Sequence, residues 1–255
     1  YWEETSRGAA GLAGAQADPL FSVWLYDWRV LQTGERTFSL SAAKEGMVLE
    51  LDLEDAKGPV LHGQQGYSQK GEGQGNASYY ISQTRLVTRG RLLMDGEVYQ
   101  VSGTSWMDHE FSTSALSGQQ VGWDWFSIQL DDGREVLVYT IRNADGSLDP
   151  HSYGSLILED GSLMPLTSRD FSIEPTGEWT SPHSGAVYPS GWRVNIPGQE
   201  VELQINPLIQ DQELVVSYTY WEGAVEIQGT WRGRPVTGRG YTELTGYAES
   251  MQGQF

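Results

Sequence analysis

The sequence of 255 residues contains no cysteine. Disulfide frameworks, thiolate nucleophiles and cysteine-ligated zinc are therefore excluded. Basic residues are scarce, because 16 Lys and Arg stand against 34 Asp and Glu and give a formal net charge of −18. This charge opposes binding to nucleic-acid phosphates and to anionic lipid headgroups, so we expect no nucleic acid among the partners. No apolar run approaches the ~20 residues that a membrane-spanning helix needs.

Signatures of several common enzyme classes are also missing. The sequence holds no Gly-x-Ser-x-Gly elbow, no Walker loop, no Gly-x-Gly-x-x-Gly after a strand and no His-Glu-x-x-His. Its four histidines are widely scattered, at His62, His109, His151 and His183. The pattern disfavours a serine hydrolase, a nucleotide-dependent enzyme and a zinc enzyme, and we expect neither a metal nor an organic cofactor.

Aromatic residues and glycine are abundant, with 10 Trp, 13 Tyr and 31 Gly. Residues 47–54 alternate between apolar and acidic side chains, which is typical of an antiparallel strand buried on one face. Further strands are predicted at 21–30, 79–87, 97–102, 123–130, 135–142, 154–159, 191–196, 201–206, 213–220, 223–231 and 235–245. Hairpin turns are predicted at Asp95-Gly96, Asp132-Gly133, Asp145-Gly146, Asp160-Gly161 and Arg232-Gly233. Since no amphipathic helix of three turns is found, the sequence predicts an all-β barrel or sandwich.

Three polar segments interrupt the predicted strands. Residues 3–20 and the Gly- and Gln-rich residues 62–77 have no strand pattern, and each is a candidate for a lid or a loop over a cavity. A third polar segment, at 112–120, separates two strand-rich halves. We therefore predict two domains, which cover residues 1–118 and 119–255.

The segment 106–111, Trp-Met-Asp-His-Glu-Phe, places three ionisable residues in a row. On a strand its side chains alternate, with Trp106, Asp108 and Glu110 on one face and Met107, His109 and Phe111 on the other. Apolar neighbours would keep the His109 imidazole neutral and able to act as a base. Alternation also separates the carboxylates from His109, which disfavours a metal site. The alternative is a buried polar cluster that holds two sheets together.

Three further segments combine Trp or Tyr with an acid: Gly122-Trp-Asp-Trp-Phe126, Tyr220-Trp-Glu222 and Tyr241-Thr-Glu243. Each alone is typical of core packing with one hydrogen-bonded acid. Together with residues 106–111 they favour a cavity that has aromatic walls and a polar edge.

Six motifs occur in a fixed order: Gly75-Asn-Ala-Ser-Tyr-Tyr80, Thr84-Arg-Leu86, Gly103-x-Ser-Trp-Met-Asp-His-Glu110, Gly122-Trp-Asp-Trp-Phe126, Tyr220-Trp-Glu-Gly-Ala-Val225 and Gly240-Tyr-x-Glu-Leu-x-Gly-Tyr247. In this combination the chain resembles the carotenoid 1,2-hydratase/AttH-like family of lipocalin-like proteins, and its secreted AttH-like branch more than its hydratase branch. The resemblance implies an all-β protein of two consecutive lipocalin-like antiparallel β-barrels, with a ligand region near their junction. It also implies a periplasmic or secreted protein that works beside an ABC exporter.

The resemblance also implies active-site residues, and the chain differs from the family pattern at some of them. In the hydratase branch an Asp-His-Glu-aromatic segment contributes to the active site, and residues 108–111 match it here. The family usually has Trp in place of Phe111, and an acid just after the tyrosine that matches Tyr139, where this chain has Thr and Ile at 140–141. Members carry a further segment before the one that matches residues 6–15. We therefore expect an incomplete first barrel, and a separate N-terminal segment as a partner that completes it.

Two functions are consistent with these residues. As an enzyme, the protein would add water to an apolar unsaturated substrate or rearrange it, with Asp108 or Glu110 as the acid and His109 as the base that activates water. As a carrier, it would hold an apolar small molecule or a lipid for an exporter and would need no proton chemistry.

We expect the cavity to lie on the His109 side of its strand, with His109 between two apolar neighbours, Met107 and Phe111. The two carboxylates would then point away from the cavity, toward Arg85 or backbone donors. The predicted ligand-binding residues are Tyr79, Tyr80, Arg85, Trp106, Phe111, Trp123, Trp125, Trp221, Glu222 and Tyr241.

Overall fold

The computed structural model describes residues 2–73, 75–112 and 116–253. Within these ranges the chain forms β-strands and two short 3₁₀ turns, Ala9–Gly11 and Pro197–Gln199. The strands are β1 (Ala13–Gln16), β2 (Ser22–Leu25), β3 (Trp28–Gln32), β4 (Thr37–Lys44), β5 (Met47–Asp55), β6 (Val60–Leu61), β7 (Tyr67–Gln69), β8 (Ala77–Met94), β9 (Glu97–Ser112), β10 (Gln120–Leu130), β11 (Glu135–Asn143), β12 (Tyr153–Ile157), β13 (Leu163–Thr167), β14 (Ser172–Pro175), β15 (Glu178–Thr180), β16 (Val187–Pro189), β17 (Trp192–Ile196), β18 (Val201–Pro207), β19 (Glu213–Val215), β20 (Thr219–Trp231) and β21 (Arg234–Leu244). Neighbouring strands pair antiparallel, so the all-β prediction is confirmed. In the described ranges no helix has the length and apolar character needed to cross a membrane.

Two-residue and three-residue turns divide two strands that the sequence analysis predicted as continuous. The predicted strand 21–30 is the hairpin β2–β3, which turns at Tyr26 with a φ of 52°. The predicted strand 213–220 divides into β19 and the start of β20, where Val215 pairs with Thr219. Neither turn carries a Gly, so the turn dipeptides that mark most hairpins are missing there. Asp95-Gly96 turns as predicted, with φ values of 54° and 80°.

The chain folds into two compact units, each built from two chain segments. Unit 1 comprises the residues up to Pro59 together with Gln83–Met107, and unit 2 comprises Val60–Ser82 together with the residues from Asp108 onward. The expected boundary at residue 118 does not coincide with this division. The reason is that β8 and β9 are long strands, and one part of each belongs to unit 1 and the other part to unit 2.

Unit 1 is an antiparallel meander of β1 to β5, and the second part of β8 pairs with β5. Its last strand before the chain leaves the unit, β5, ends at the buried Asp55. The Asp55 carboxylate accepts hydrogen bonds from the backbone N–H groups of Lys57 and Gly58 and from the side-chain amide of Gln83. A buried acid that receives three donors is fully compensated, so Asp55 stabilises the turn that follows β5.

Unit 2 is built on a ten-stranded antiparallel sheet in the order β13-β12-β11-β10-β21-β20-β18-β17-β14, with β19 paired to β20. Side chains alternate across this sheet. One face carries the main hydrophobic core, which includes Phe126 and Trp192. On the opposite face Trp125 lies between its two cross-strand neighbours, Tyr139 and Glu243. We call this second side the aromatic face.

The segment 60–82 lies against the aromatic face within unit 2. It contains β6, β7 and the first part of β8, although residues 62–77 carry no strand pattern in the sequence. His62 follows β6 and contacts Ser155, while Lys70 follows β7 and contacts Tyr139. Polar side chains from this segment therefore meet the aromatic face at its centre.

Candidate functional site

Strands β8 and β9 place two carboxylates beside three hydroxyl groups. Asp108 accepts a hydrogen bond from the Tyr80 hydroxyl, 2.8 Å from Oδ2, and another from the Ser82 hydroxyl on Oδ1. Glu110 accepts one from the Ser78 hydroxyl. Ser78, Tyr80 and Ser82 are buried, and their spacing of two residues puts them on one face of β8. Charge-assisted bonds of this kind are about twice as strong as neutral ones, so they hold both carboxylates firmly.

The opposite side of the same strands carries His109 and Phe111. The Phe111 ring lies 5.5 Å from the Tyr79 ring and 5.2 Å from the His109 ring, measured between centroids. All three side chains are exposed. The alternation predicted for this segment is present, but the carboxylates bond to Ser78, Tyr80, Ser82 and Lys70 and not to the expected Arg85 or backbone donors. That the His109 side lines a ligand cavity stays a prediction. The carboxylates face buried hydroxyl groups and the Lys70 ammonium group, although Asp108 and Glu110 are themselves exposed residues.

Lys70 supplies the positive charge of this cluster. Its Nζ lies 2.9 Å from Glu110 Oε1 and 2.9 Å from the Tyr139 hydroxyl, to which it donates. The same atom lies 4.1 Å from the centre of the Tyr139 ring and 4.8 Å from that of Tyr80. Burial by itself would lower the pKa of Lys70, but Tyr139 and Glu110 outweigh it and raise the pKa. Lys70 is therefore a permanent cation that anchors Glu110 and is covered by two aromatic rings.

His62 is fully buried and uses both ring nitrogens. Nδ1 lies 2.9 Å from the Ser155 hydroxyl and Nε2 lies 2.8 Å from the Ser82 hydroxyl. Its ring packs against Tyr80, with the centroids 4.7 Å apart. Burial, and secondarily the nearby Lys70 charge, lower the pKa of His62 to about 3. The imidazole is thus neutral over the whole physiological range.

Tyr80 connects the carboxylates to the aromatic face. Its hydroxyl oxygen accepts the indole N–H of Trp125 at 2.8 Å while its own proton goes to Asp108. Burial, and then the negative charges of Asp108 and Glu110, raise the pKa of Tyr80 far above its usual value. Tyr80 therefore acts as a fixed neutral donor to Asp108.

Glu243 forms a second acidic centre on the aromatic face. The indole N–H of Trp123 donates to Glu243 Oε1 at 2.8 Å, and Glu222 lies directly opposite on β20. Burial raises the pKa of Glu243 to about 7, with a further contribution from the Glu222 charge, and the Trp123 bond only partly offsets this. Asp108 and Glu110 raise it as well, which shows that the two acidic centres share one electrostatic environment. At neutral pH Glu243 is able to hold a proton while remaining near an ionised acid.

Glu222 has its own hydroxyl partners. Tyr220 and Tyr241 both hydrogen bond to it, and burial followed by the Glu222 charge raises the pKa of each tyrosine. Tyr241 is 38% exposed, and Trp123 and Trp125 are half-buried. The acids are therefore bordered by aromatic rings that remain accessible. Among the described residues, no three His, Asp or Glu side chains are arranged to hold a metal ion.

Comparison with known proteins identifies the family. A family model described as AttH-like matches residues 1–247. The chain belongs to the AttH-like family. The family resemblance drawn from the six sequence motifs is thereby confirmed, whereas no curated protein sequence matches the chain significantly.

Solved structures show the same relationship. This AttH-like protein is similar to a candidate AttH protein from Nitrosomonas europaea, with a TM-score of 0.81 and 37% identity over 89% of this chain and 69% of that one. It is also similar to kievitone hydratase from Nectria haematococca, with a TM-score of 0.72 and 19% identity over 89% and 70% of the two chains. A third likeness is to CghA with Sch210972, with a TM-score of 0.57 and 11% identity over 93% and 74%. At their low identities the last two show a shared fold alone.

Several predicted site residues of the AttH-like protein lie elsewhere. Trp221 belongs to the hydrophobic core on the other face of the sheet, where its ring lies 6.0 Å from that of Trp192 and its N–H donates to a backbone carbonyl. Alternation along β20 puts Trp221 on the face opposite to Glu222, so the two predicted ligand residues do not share one side of the sheet. Arg85, Trp106 and Met107 belong to unit 1. The structure brings together Asp108, Glu110, Tyr80, Trp123, Trp125, Glu222 and Tyr241 in unit 2.

Four residues of the cluster were not among the predicted site residues: His62, Lys70, Tyr139 and Glu243. Glu243 carried a usable signal, since it follows Tyr241 in an acid–aromatic segment like that of Glu222. His62 and Lys70 carried a weaker one, because they lie in the polar segment proposed as a cavity loop. Nothing local distinguishes Tyr139 from a core residue, since its role depends on the chain that packs above it.

Proposed function

We propose that this AttH-like protein is a hydratase-type enzyme, which adds water to a carbon–carbon double bond of an apolar, isoprenoid-like or lipid-like substrate. Glu243 transfers its carboxyl proton to one alkene carbon, and water attacks the cationic carbon next to it. Asp108 accepts the proton that the attacking water loses. One proton is consumed and one is released, and the product is an alcohol. Exchange with solvent then returns a proton to Glu243 and removes one from Asp108.

The observation that carries the proposal is a carboxyl group that keeps its proton near neutrality beside an indole. Glu243 is half-buried, it accepts from Trp123 at 2.8 Å, and its pKa is about 7. A general acid is most effective when its pKa lies near the working pH, because a large fraction is then protonated and the proton is still acidic enough to be transferred. Asp108 supplies the complementary base, held by Tyr80 and Ser82.

The aromatic rings beside these acids suit the intermediate of such a reaction. Protonation of a double bond creates a carbocation, and the faces of Trp and Tyr rings attract cations. Trp123, Trp125 and Tyr241 retain exposure next to Glu243, so a ligand is able to reach them. The ring faces also present the apolar area that a hydrocarbon substrate needs.

The family context supports the same class of reaction. One structural neighbour is named a hydratase, and the fold is shared with it at a TM-score of 0.72. On the family resemblance we include three further points in the proposal: an apolar small molecule or lipid as ligand, a periplasmic or secreted location, and work beside an ABC exporter.

The test is incubation of the purified protein with a panel of isoprenoid alcohols and prenylated phenols in deuterium oxide. We expect a product heavier by one water, with one deuterium bound to carbon. Glu243→Gln and Asp108→Asn should each lower turnover by about 10²–10⁴-fold, which is the usual contribution of a positioned acid or base. The matched control is Glu174→Gln, which removes an acid from an exposed ion pair with Arg193 and should leave turnover unchanged.

Recovery of bound ligand without any carbon-bound deuterium would contradict the enzyme proposal. Extraction of the natively purified protein would then identify the ligand that a carrier holds. Full turnover in Glu243→Gln would instead show that another group is the acid.

A further inference from the structure

A continuous line of hydrogen-bonding groups leads from Asp108 into the interior of unit 2. Asp108 Oδ1 bonds to the Ser82 hydroxyl, which lies 2.8 Å from His62 Nε2. His62 Nδ1 lies 2.9 Å from the Ser155 hydroxyl, and that hydroxyl donates to the Tyr153 hydroxyl oxygen at 3.0 Å. Ser82, His62 and Ser155 are fully buried, whereas Tyr153 is partly exposed. The line therefore runs from the acidic centre, through three buried side chains, to a partly exposed tyrosine.

Every member of this line is able to donate and to accept, so the line has two self-consistent arrangements. When Asp108 is ionised, Ser82 donates to it, His62 carries its proton on Nε2, and the Ser155 hydroxyl turns from Tyr153 to donate to Nδ1. When Asp108 is protonated on Oδ1, it donates to Ser82 and every bond reverses. His62 then carries its proton on Nδ1.

The position of the Asp108 proton follows from Tyr80. The Tyr80 oxygen accepts from Trp125, so its hydroxyl must donate to Asp108 Oδ2. Oδ2 is thus held as an acceptor, and the proton of a protonated Asp108 is directed to Oδ1, which faces Ser82. The geometry leads this proton into the line and away from Tyr80.

His62 is suited to pass a proton without becoming charged. It is fully buried, and the Lys70 ammonium group repels an imidazolium. The other groups that face the line are the Tyr80 and Tyr153 rings beside His62, and Glu110 and Glu243 near Asp108. A switch of tautomer moves no net charge onto the ring, so it avoids the cost of a buried cation.

We propose that His62 is a tautomeric switch, which couples the ionisation of Asp108 to Tyr153 through Ser82 and Ser155. When a protonated Asp108 gives up its Oδ1 proton, that proton passes to Ser82, Ser82 passes its own proton to Nε2, Nδ1 passes one to Ser155, and Ser155 passes one to Tyr153, which releases one to solvent. The same steps in reverse bring a proton from solvent to Asp108 and return the His62 proton to Nδ1. No bond other than O–H and N–H bonds forms or breaks, and no net charge stays on His62. His62 is thus a positioning residue for Asp108, and its use in turnover rests on the proposed function.

The experiment is ¹⁵N NMR of the histidine rings and ¹³C NMR of the carboxyl groups in the full chain without substrate. His62→Gln and Asp108→Asn identify the two signals by their loss. We expect the Nδ1 and Nε2 signals of His62 to exchange their protonated and unprotonated character at the pH where Asp108 titrates. The ring should stay neutral throughout. In Asp108→Asn the His62 signals should not change over the same range.

The link through Ser82 is tested by a matched pair of variants. Ser82→Ala should abolish the response of His62 to the Asp108 titration, because it removes the hydroxyl between them. Ser78→Ala removes a hydroxyl of the same strand that bonds Glu110 instead, and it should leave the response intact. A single fixed tautomer of His62 through the Asp108 titration, or an imidazolium at that pH, would overturn the proposal.

These outcomes are separable from those of the proposed function. If the NMR titration shows the tautomer switch but no hydrated product forms, the His62 proposal stands and the hydratase proposal is refuted. Hydration by a protein whose His62 keeps one tautomer would retain the hydratase and refute the relay.

Discussion

Trp125 donates its indole N–H to the hydroxyl oxygen of Tyr80 at 2.8 Å. Because that oxygen is occupied as an acceptor, the Tyr80 proton is directed to Asp108 Oδ2, also at 2.8 Å. The three residues come from β10, β8 and β9. One line of hydrogen bonds therefore joins the aromatic face of the sheet to the carboxylate that we assign as the base.

Tyr80→Phe should destabilise the protein and impair its chemistry. The change leaves the Trp125 N–H without its acceptor and removes a donor from Asp108, which costs about 1–3 kcal/mol for buried groups. The free energy of unfolding, measured with urea, checks this value. Tyr79→Phe is the matched control, because Tyr79 is 55% exposed on the opposite face, and it should change stability by less than about 0.5 kcal/mol. Equal effects of the two changes would show that the Tyr80 hydroxyl contributes nothing.

Lys70→Met should lower the free energy of unfolding by about 3 kcal/mol, because it leaves Glu110 without its cationic partner. This value is at the lower end for a broken buried ion pair, since the Glu110 side chain is 35% exposed. Adding Glu110→Gln should restore part of this loss, since the unpaired carboxylate is the source of the cost. Arg91→Met breaks an exposed ion pair with Glu50 and should leave stability nearly unchanged. If the double variant is as unstable as the sum of the single ones, Lys70 and Glu110 are not coupled.

Glu243→Gln should remove a pH dependence of stability. In the unfolded chain a Glu titrates near 4.5, whereas the folded Glu243 pKa is about 7, so the native protein loses stability as the pH rises from 4.5 to 7. The variant should gain up to about 3 kcal/mol relative to the native protein at pH 8 and nothing below pH 4. Urea unfolding across this range measures the difference. Glu226→Gln, on an exposed position of β20, should show no such gain.

His62→Gln should flatten the loss of stability in acid. The folded pKa of His62 is about 3 and the unfolded value is 6.5, so protons bind the unfolded chain preferentially and stability falls as the pH drops through this window. At pH values below 3 the loss of stability caused by His62 reaches about 5 kcal/mol. Gln also both donates and accepts, so it is able to keep one bond to each serine. His183→Gln, at an exposed position, should leave the acid unfolding curve unchanged.

His109→Ala should leave both the melting temperature and turnover unchanged. The side chain is exposed on the face opposite to Asp108 and Glu110, and substitutions at such positions usually fall within about 0.5 kcal/mol. Thermal melts and the deuterium assay measure the two quantities. Loss of turnover with an intact fold would return His109 to the candidate catalytic residues.

The alternation of 106–111 was readable from the sequence, because any strand sends successive side chains to opposite faces. The sequence did not say which partners the two carboxylates would meet. Lys70, the cationic partner of Glu110, bonds to Tyr139, which lies 69 residues away in sequence. No pattern in the sequence around Tyr139 indicates this contact. The same period of two placed Trp123 and Trp125 on one face and Asp124 and Phe126 on the other, as the structure shows. It could not tell that Trp221 packs in the core against Trp192.

The sequence by itself determined the fold class, most of the strands, the family and the acid–aromatic segments that contribute to the site. These features depend on residue spacing within a few positions, and such spacing is visible along the chain. Only the tertiary structure decided that Asp108 and Glu110 bond to buried hydroxyl groups of β8, that His62 bonds Ser155 across 93 residues, and that burial raises the pKa of Glu243 to about 7. The physical reason is that burial and the pairing of charges are set by segments far apart in sequence, which meet only when the sheet has formed.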